Sequence, residues 1–343
     1  MTRWVLHVDL DQFLAAVEVL RHPELAGLPV VVGGDGDPTK RGVVSTASYE
    51  ARALGVGSGT PLRTAARRIP DAVFLPVDRP HYEPISEQVM ATLREVTDEV
   101  EVLGWDEAFL GVDDPPDDDP EAVAREVQRR VLAATGLHCS VGIGRNRLQA
   151  KTATSYGKPA GVFRITGATW FDLLGDLPPD ALWGIGSKTS RKLSELDITT
   201  VRTLAETDED ALAARFGPTT GPWLRRLAAG RDSATIRSTP RERRSLGREV
   251  TFQQDLHDWD DVRAQVVELA NRVAAEVAES GVDAVRVVIK LRFVPFTTRT
   301  SSRVLPAPTT AAAAIEQAAL EAFDRFAPRA VRLVGVRAEL IRT

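Results

Sequence analysis

Residues 3–18 read RWVLHVDLDQFLAAVE, and this stretch decides the fold. Residues 3–9 are a short apolar run, the pattern of a buried strand, and Phe13, Val17 and Leu20 then recur at helical spacing. Asp9 closes the strand, and Asp11 stands where the helix begins. A short acid at a helix start satisfies free backbone N–H groups, so Asp11 is expected as an N-cap. Asp9 suits that role less well. The apolar strand carries it inside, and a desolvated carboxylate needs a cation.

Working outward, residues up to about 165 alternate strands and helices without strict repetition, which suits an α+β domain. GWDEAFL (104–110) lies in a predicted hairpin and holds a second acid cluster, Asp106 and Glu107. Strand neighbours point to opposite faces, so both acids can serve one site only near a bend or an edge. With Asp9 they make three carboxylates suited to two Mg²⁺ ions, which prefer oxygen ligands and keep substrate phosphates in their shell. Two such ions clamp the attacking and leaving oxygens of a phosphoryl displacement. In TASYEAR (46–52), Tyr49 and Arg52 are three apart and share a helical face. With the Thr46 hydroxyl they suit a triphosphate, and Lys158, in YGKPAG (156–161), adds a point charge to the same phosphates. WGIGSKTSRKL (183–193) reads as a helix-hairpin-helix, in which bare N–H groups at a helix start bind a backbone phosphate without reading sequence. Gly184, Gly186, Ser187 and Lys188 are its DNA-contact candidates.

A chain of 343 residues is long for one core and suggests two to four domains. The net charge of −5 argues weakly against nucleic acid, but it is an average. Acids crowd into 112–121, a solvated loop leading to a helix, and arginines gather at 241–248 and 286–303. From about 166 the pattern is helical with short loops. An Arg-rich linker follows, and the last hundred residues read as long strands around helices at 259–279 and 311–326. The single cysteine, Cys139, excludes a disulfide framework or a Cys-based zinc site and reads as inert packing. No apolar run reaches the roughly 18 residues of a membrane span, and the N-terminus lacks a signal-peptide pattern, so a cytoplasmic protein is expected.

Together these segments resemble the Y-family translesion DNA polymerases, of the bacterial DNA polymerase IV class, over nearly the whole chain and in order. VDLDQFLAAVE (8–18) is similar to that family's first metal motif, YEAR (49–52) to its fingers motif, and DEAFL (106–110) to its second metal motif. GIGRNRLQAKTATSYGKPAG (142–161) is similar to its palm helix, and WGIG (183–186) to its thumb hairpin. The resemblance implies an α+β, multidomain right hand: a ferredoxin-like palm (1–10 and 77–165), small α/β fingers (11–76), a helical thumb (166–230), a linker (231–241) and an α+β little finger (242–343). It implies that Asp9, Asp106, Glu107 and the Leu10 carbonyl hold two Mg²⁺ ions, with Mn²⁺ able to substitute. Glu107 would lie nearest the primer 3′-hydroxyl. Gln12, Phe13, Leu14, Thr46, Tyr49, Arg52 and Lys158 would meet the nucleotide, and Arg243 and Arg244 would join the hairpin on DNA. The implied partners are primer-template DNA and dNTPs, with no membrane and a monomeric state. Because the strand read at the end is followed by only two residues, stable sliding-clamp binding is not expected.

The sequence departs from the family pattern in three places. Gly104 and Trp105 replace a serine and a small aliphatic residue, and Gln12 replaces an aromatic or small residue. Leu14 replaces the second aromatic, whose ring refuses a 2′-hydroxyl, so rNTPs are expected as substrates too. The rival readings are a DxD-type phosphohydrolase, on DLDQF (9–13), and a non-catalytic DNA-binding protein using the hairpin.

Overall fold

The structure, a computed structural model, describes residues 3–239 and 242–341. It divides into two compact units, residues 1–37 with 43–240, and residues 38–42 with 241–343.

Unit 1 begins with β1 (Arg3–Leu10), α1 (Phe13–Arg21), β2 (Val30–Val32), β3 (Thr46–Ala47), α2 (Tyr49–Ala53), α3 (Leu62–Arg68) and β4 (Val73–Leu75). It continues through α4 (Arg79–Arg94), β5 (Val100–Val102), β6 (Glu107–Asp113), α5 (Pro120–Thr135), β7 (Cys139–Gly144), α6 (Arg147–Gly157) and β8 (Val162–Arg164). Five short helices close it: α7 (Trp170–Leu174), α8 (Ser187–Ser194), α9 (Val201–Glu206), α10 (Glu209–Phe216) and α11 (Thr220–Ala228).

The central sheet has five strands in the order β5-β6-β1-β7-β8. β1 lies between β6 and β7 and runs antiparallel to both. A central strand covered on both faces should be apolar throughout, and residues 4–8 are all buried. The side chains alternate between faces. Trp4, Leu6, Val8 and Leu10 pack with Phe13 and Val17 of α1, Tyr82 and Leu93 of α4, and Val127 and Val131 of α5. Val5, His7 and Asp9 face the other way, toward α6. Gly142 of β7 permits that helix to lie close, because a Cβ there would fall 2.1 Å from the Ala150 carbonyl oxygen. A smaller sheet, β3-β2-β4, supports α2 and α3.

The segment expected as a linker from 231 is, through Arg237, a strap on the five-stranded sheet. The Ser233 carbonyl accepts from the Arg147 N–H (3.1 Å), and the Ala234 carbonyl accepts from Arg3 Nε (3.2 Å). Ile236, 7% exposed, packs with Val5, Phe109 and Ala150. One apolar residue in a polar run is invisible to composition, and its partners lie far off in sequence.

Unit 2 contains β9 (Ser245–Leu256), α12 (Trp259–Ser280), β10 (Ala284–Phe293), β11 (Thr297–Thr309), α13 (Ala312–Phe323) and β12 (Val331–Leu340). Its sheet order is β11-β10-β12-β9, all antiparallel, and α12 and α13 pack on one face. β10 alternates accordingly: Val287, Ile289, Leu291 and Phe293 are buried, and Arg286, Val288, Lys290 and Arg292 lie on the open face. Among the described residues, no helix is long and apolar enough to cross a membrane.

Ile236→Ala should lower the stability of unit 1 by about 2–4 kcal/mol, the usual loss for a truncated core aliphatic. Chemical denaturation measures the loss, and limited proteolysis should show faster cutting at 231–237.

Candidate active site

The register of β1 against β6 places Asp9 directly opposite Glu107 and His7 opposite Phe109. Directly opposed residues of an antiparallel pair point to the same face, with Cβ atoms about 4.5–5.5 Å apart. The two acids therefore converge with His7, two residues before Asp9 on the same face. Ligand atoms of His7, Asp9 and Glu107 lie within 4.8 Å of one another. Asp106 ends the turn before β6, and its carbonyl accepts from the Leu10 N–H (2.8 Å), which brings it beside the end of β1. The bend that the adjacent pair requires is present.

α6 and Lys158, the residue that caps its end, supply the opposing charge. Lys151 Nζ donates to Glu107 Oε2, and Lys158 Nζ donates to Asp9 Oδ1. The two lysines are seven residues apart, two helical turns, so they address the same edge of the sheet. His7 is buried; its Nε2 lies 3.2 Å from Glu107 Oε2 and its Nδ1 lies 2.8 Å from Thr154 Oγ1. A neutral ring donating from Nε2 and accepting at Nδ1 satisfies both contacts, and burial lowers the imidazole pKa, which favours that neutral form. The hydrogen bond from His7, reinforced by Lys151, holds the Glu107 carboxyl down at about 2. Asp106 is pushed the other way, by burial first and then by the charges of Asp9 and Glu107. A carboxyl so placed has surplus negative charge around it, which is what a cation would relieve. Three hard oxygen donors fit Mg²⁺, and His7 then orients Glu107 from behind, the usual role of a group hydrogen-bonded to a metal ligand.

Asp11 is not a helix cap, contrary to the expectation from sequence. Gln12 occupies the cap position of α1, without a capping side-chain bond. The Asp11 carboxylate is buried and accepts from the Tyr49 hydroxyl, from Ser140 Oγ (3.0 Å to each oxygen) and from the Ala160 N–H (2.8 Å). Donors distant in sequence took this acid from the local backbone. Gln12 has φ 46°, and its Oε1 accepts from the Tyr49 N–H at the start of α2 (2.5 Å). This departure from the family pattern therefore supports a neighbouring helix. Trp105 packs against the main core and its carbonyl accepts from Ser86 Oγ (2.6 Å), which accommodates the departure at Gly104 and Trp105.

Of the nucleotide candidates, Tyr49 and Arg52 do share a face, with the guanidinium 5.1 Å from the ring centroid, while Arg52 Nε donates to the Ala47 carbonyl (2.9 Å). Thr46 is half-buried on β3, opposite Val32. Phe13 is enclosed, 2% exposed, in a T-shaped pair with Tyr82 whose ring centroids lie 6.5 Å apart. Leu14, in the first turn of α1, is 6% exposed. Cys139 is buried, and its thiol is pushed up to about 12 by burial and then by Asp11 and Asp9, as inert packing requires.

Leu182 and Ile185 bury themselves and leave Gly184 (φ 98°), Gly186, Ser187 and Lys188 exposed at the start of α8. The arm before this turn is a single 3₁₀ turn, Pro179–Ala181, rather than an α-helix. In unit 2, Arg243 and Arg244 are exposed ahead of β9. The open face of that sheet pairs Lys290 with Glu249 (2.8 Å) and Arg286 with Glu339 (3.3 Å).

His7, Lys151 and Ser140 were not singled out from sequence. A polar residue two before Asp9 in an apolar strand, and a lysine two helical turns before Lys158, were the available signals for the first two.

A site where half-buried acids meet two lysines suits metal-dependent phosphoryl transfer, and the relatives agree. The profile of the impB/mucB/samB family matches residues 8–155, and that of its C-terminal domain matches residues 243–342. DNA polymerase IV 2 of Mycobacterium tuberculosis is 50% identical over 340 residues, covering 98% of each chain. DNA polymerase IV of Methanoculleus marisnigri is 39% identical over 346 residues, covering 99% of this chain and 95% of its own. Among solved structures, a Y-family DNA polymerase chimera of Dbh and Dpo4 superposes with TM-score 0.86 at 28% identity, covering 99% of this chain and 100% of its own. DinB from Sulfolobus solfataricus follows with TM-score 0.65 at 28% identity, over 98% of this chain and 99% of its own. The chain belongs to the impB/mucB/samB family.

Asp11→Ala should destabilise unit 1 by about 2–4 kcal/mol, because three donors lose their acceptor. Tyr49→Phe should lose about 1 kcal/mol. A mere cap would give about 1 kcal/mol for the first and nothing for the second, so urea denaturation of both variants separates the two roles.

Proposed function

We infer that the chain is a DNA-directed DNA polymerase of the Y family, which extends a primer 3′-hydroxyl on a DNA template in translesion synthesis. The observation that carries this reading is the opposition of Asp9 to Glu107 across β1 and β6, with Asp106 at the adjoining bend, in a chain that matches the family's two profiles. In detail, Asp9, Asp106, Glu107 and the Leu10 carbonyl hold two Mg²⁺ ions, and Mn²⁺ substitutes. Bound there, the ions would supply neutralisation of charge on the triphosphate and polarisation of the primer hydroxyl. The primer 3′-oxygen attacks the α-phosphorus and pyrophosphate leaves. The protein's part is positioning and charge neutralisation.

Lys158 exchanges Asp9 for the triphosphate, which Thr46, Tyr49 and Arg52 also hold. Glu107, oriented by His7 and Lys151, faces the primer hydroxyl. Gly184, Gly186, Ser187 and Lys188, with Arg243 and Arg244, take DNA phosphates. The enzyme works in the cytoplasm, where the lone buried thiol stays reduced. Asp11, closed off by three donors, is unsuited to the acid–base role that a DxD phosphohydrolase would give it.

Asp106→Ala should reduce single-nucleotide addition by several orders of magnitude while primed-template affinity stays within about threefold. Near-wild-type extension by this variant would rule out the metal-site assignment.

The same reading makes Leu14 an open gate, so that rNTPs are used alongside dNTPs. What supports it is the place of Leu14 in the first turn of α1, three residues beyond Asp11, with a branched aliphatic where the family pattern has a ring. Losing a clash of roughly 3–4 kcal/mol relaxes discrimination by two to three decades, at about 1.4 kcal/mol per decade. Leu14→Phe should restore that selectivity, read as the ratio of kcat/KM for a dNTP and its matching rNTP. An unchanged ratio would exclude the gate.

A further inference from the structure

Trp183 is large, apolar and 42% exposed, and the core does not need its ring. Its centroid lies 6.2 Å from that of Phe109, and Lys151 Nζ lies 5.5 Å from it. Lys151 in turn donates to Glu107, so the indole is one side chain away from the candidate reaction centre. Beside it opens a groove of about 460 Å³, with Lys151, Thr152 and Tyr156 of α6 on one wall and Trp183 on the other. Thr152 is 8% exposed and its hydroxyl has no hydrogen-bond partner among the described residues. A buried hydroxyl left unpaired costs about 1–3 kcal/mol, so it calls for a partner.

We propose that this groove seats the sugar–phosphate of the nucleotide just behind the primer terminus, with the Trp183 indole against the sugar and the Thr152 hydroxyl on one of its oxygens. The inference rests on the polymerase reading and adds a contact to it. Continuity favours this occupant. The primer end must lie at Glu107, which Lys151 joins to Trp183, and the exposed turn at Gly184–Lys188, proposed to hold a phosphate, begins at the next residue. A strand running from one to the other crosses the indole. Lys151 supplies the positive charge a nucleic-acid backbone needs, and an aromatic face accepts any nucleotide without reading its base.

The test uses full-length Trp183→Ala, Trp183→Phe and Thr152→Val. Each is first checked for an unchanged melting temperature, on a wild-type protein already shown to extend the primer. Fluorescence anisotropy gives Kd for a primed template and for the same template unprimed, and steady-state kinetics at saturating DNA give KM for the dNTP. Loss of the apolar contact of one indole face is worth about 5- to 30-fold. Trp183→Ala should therefore weaken primed-template binding at least about fivefold, with a much smaller change on unprimed template and in dNTP KM, and Trp183→Phe should recover most of it. Thr152→Val, which keeps the shape and loses the hydroxyl, should weaken the same complex about two- to fivefold. Primed-template affinity equal to wild type in Trp183→Ala or in Thr152→Val, or equal losses with and without primer, would overturn the proposal and leave the polymerase reading standing.

Discussion

The structure depends on one backbone register. Asp9 stands opposite Glu107 because β1 and β6 pair as they do, and a slip of one residue would turn every side chain of β1 to the other face. The register is held on the far side by the apolar set Trp4, Leu6, Val8 and Leu10, which has nowhere else to go. A hydrophobic core on one face thus enforces close approach of two like charges on the other. That approach is unfavourable by itself, and the rest of unit 1 offsets it.

The offset comes chiefly from α6. Gly142 lets the helix settle onto β7, and two lysines seven residues apart then reach the two acids. Each lysine answers one carboxylate, while Asp106, raised by burial and by its neighbours, is left with excess negative charge around it. An edge balanced in this way is prepared for cations and phosphates. Charges already paired with lysine can exchange partners without leaving a bare ion in a low-dielectric site.

Asp11 shows how the surroundings are tied to that edge. Its carboxylate joins the end of β1, the start of α2, the start of β7 and the loop after α6. Four segments separated by up to 149 residues meet on one acid, all through neutral donors. The acid two residues after Asp9 is therefore a structural fastener, and its neutral donors leave the cations to Asp9, Asp106 and Glu107.

Periodicity in the sequence by itself determined most elements of unit 1 and the two-helix, long-stranded pattern of unit 2, because burial imposes spacings of two and of three to four directly on residue order. It also marked Asp9, Asp106 and Glu107 as acids in apolar surroundings, a local contradiction that calls for a cation. Only the tertiary structure decided that Asp9 and Glu107 are opposed, that His7 and Lys151 stand behind Glu107, that Asp11 fastens four segments instead of capping α1, and that the polar run through Ile236 is a strap. Each of these joins residues tens to more than a hundred positions apart. Local patterns report what a residue's own segment requires, and the partner of a buried charge or of a lone apolar side chain is set by packing between segments, which no short-range pattern encodes.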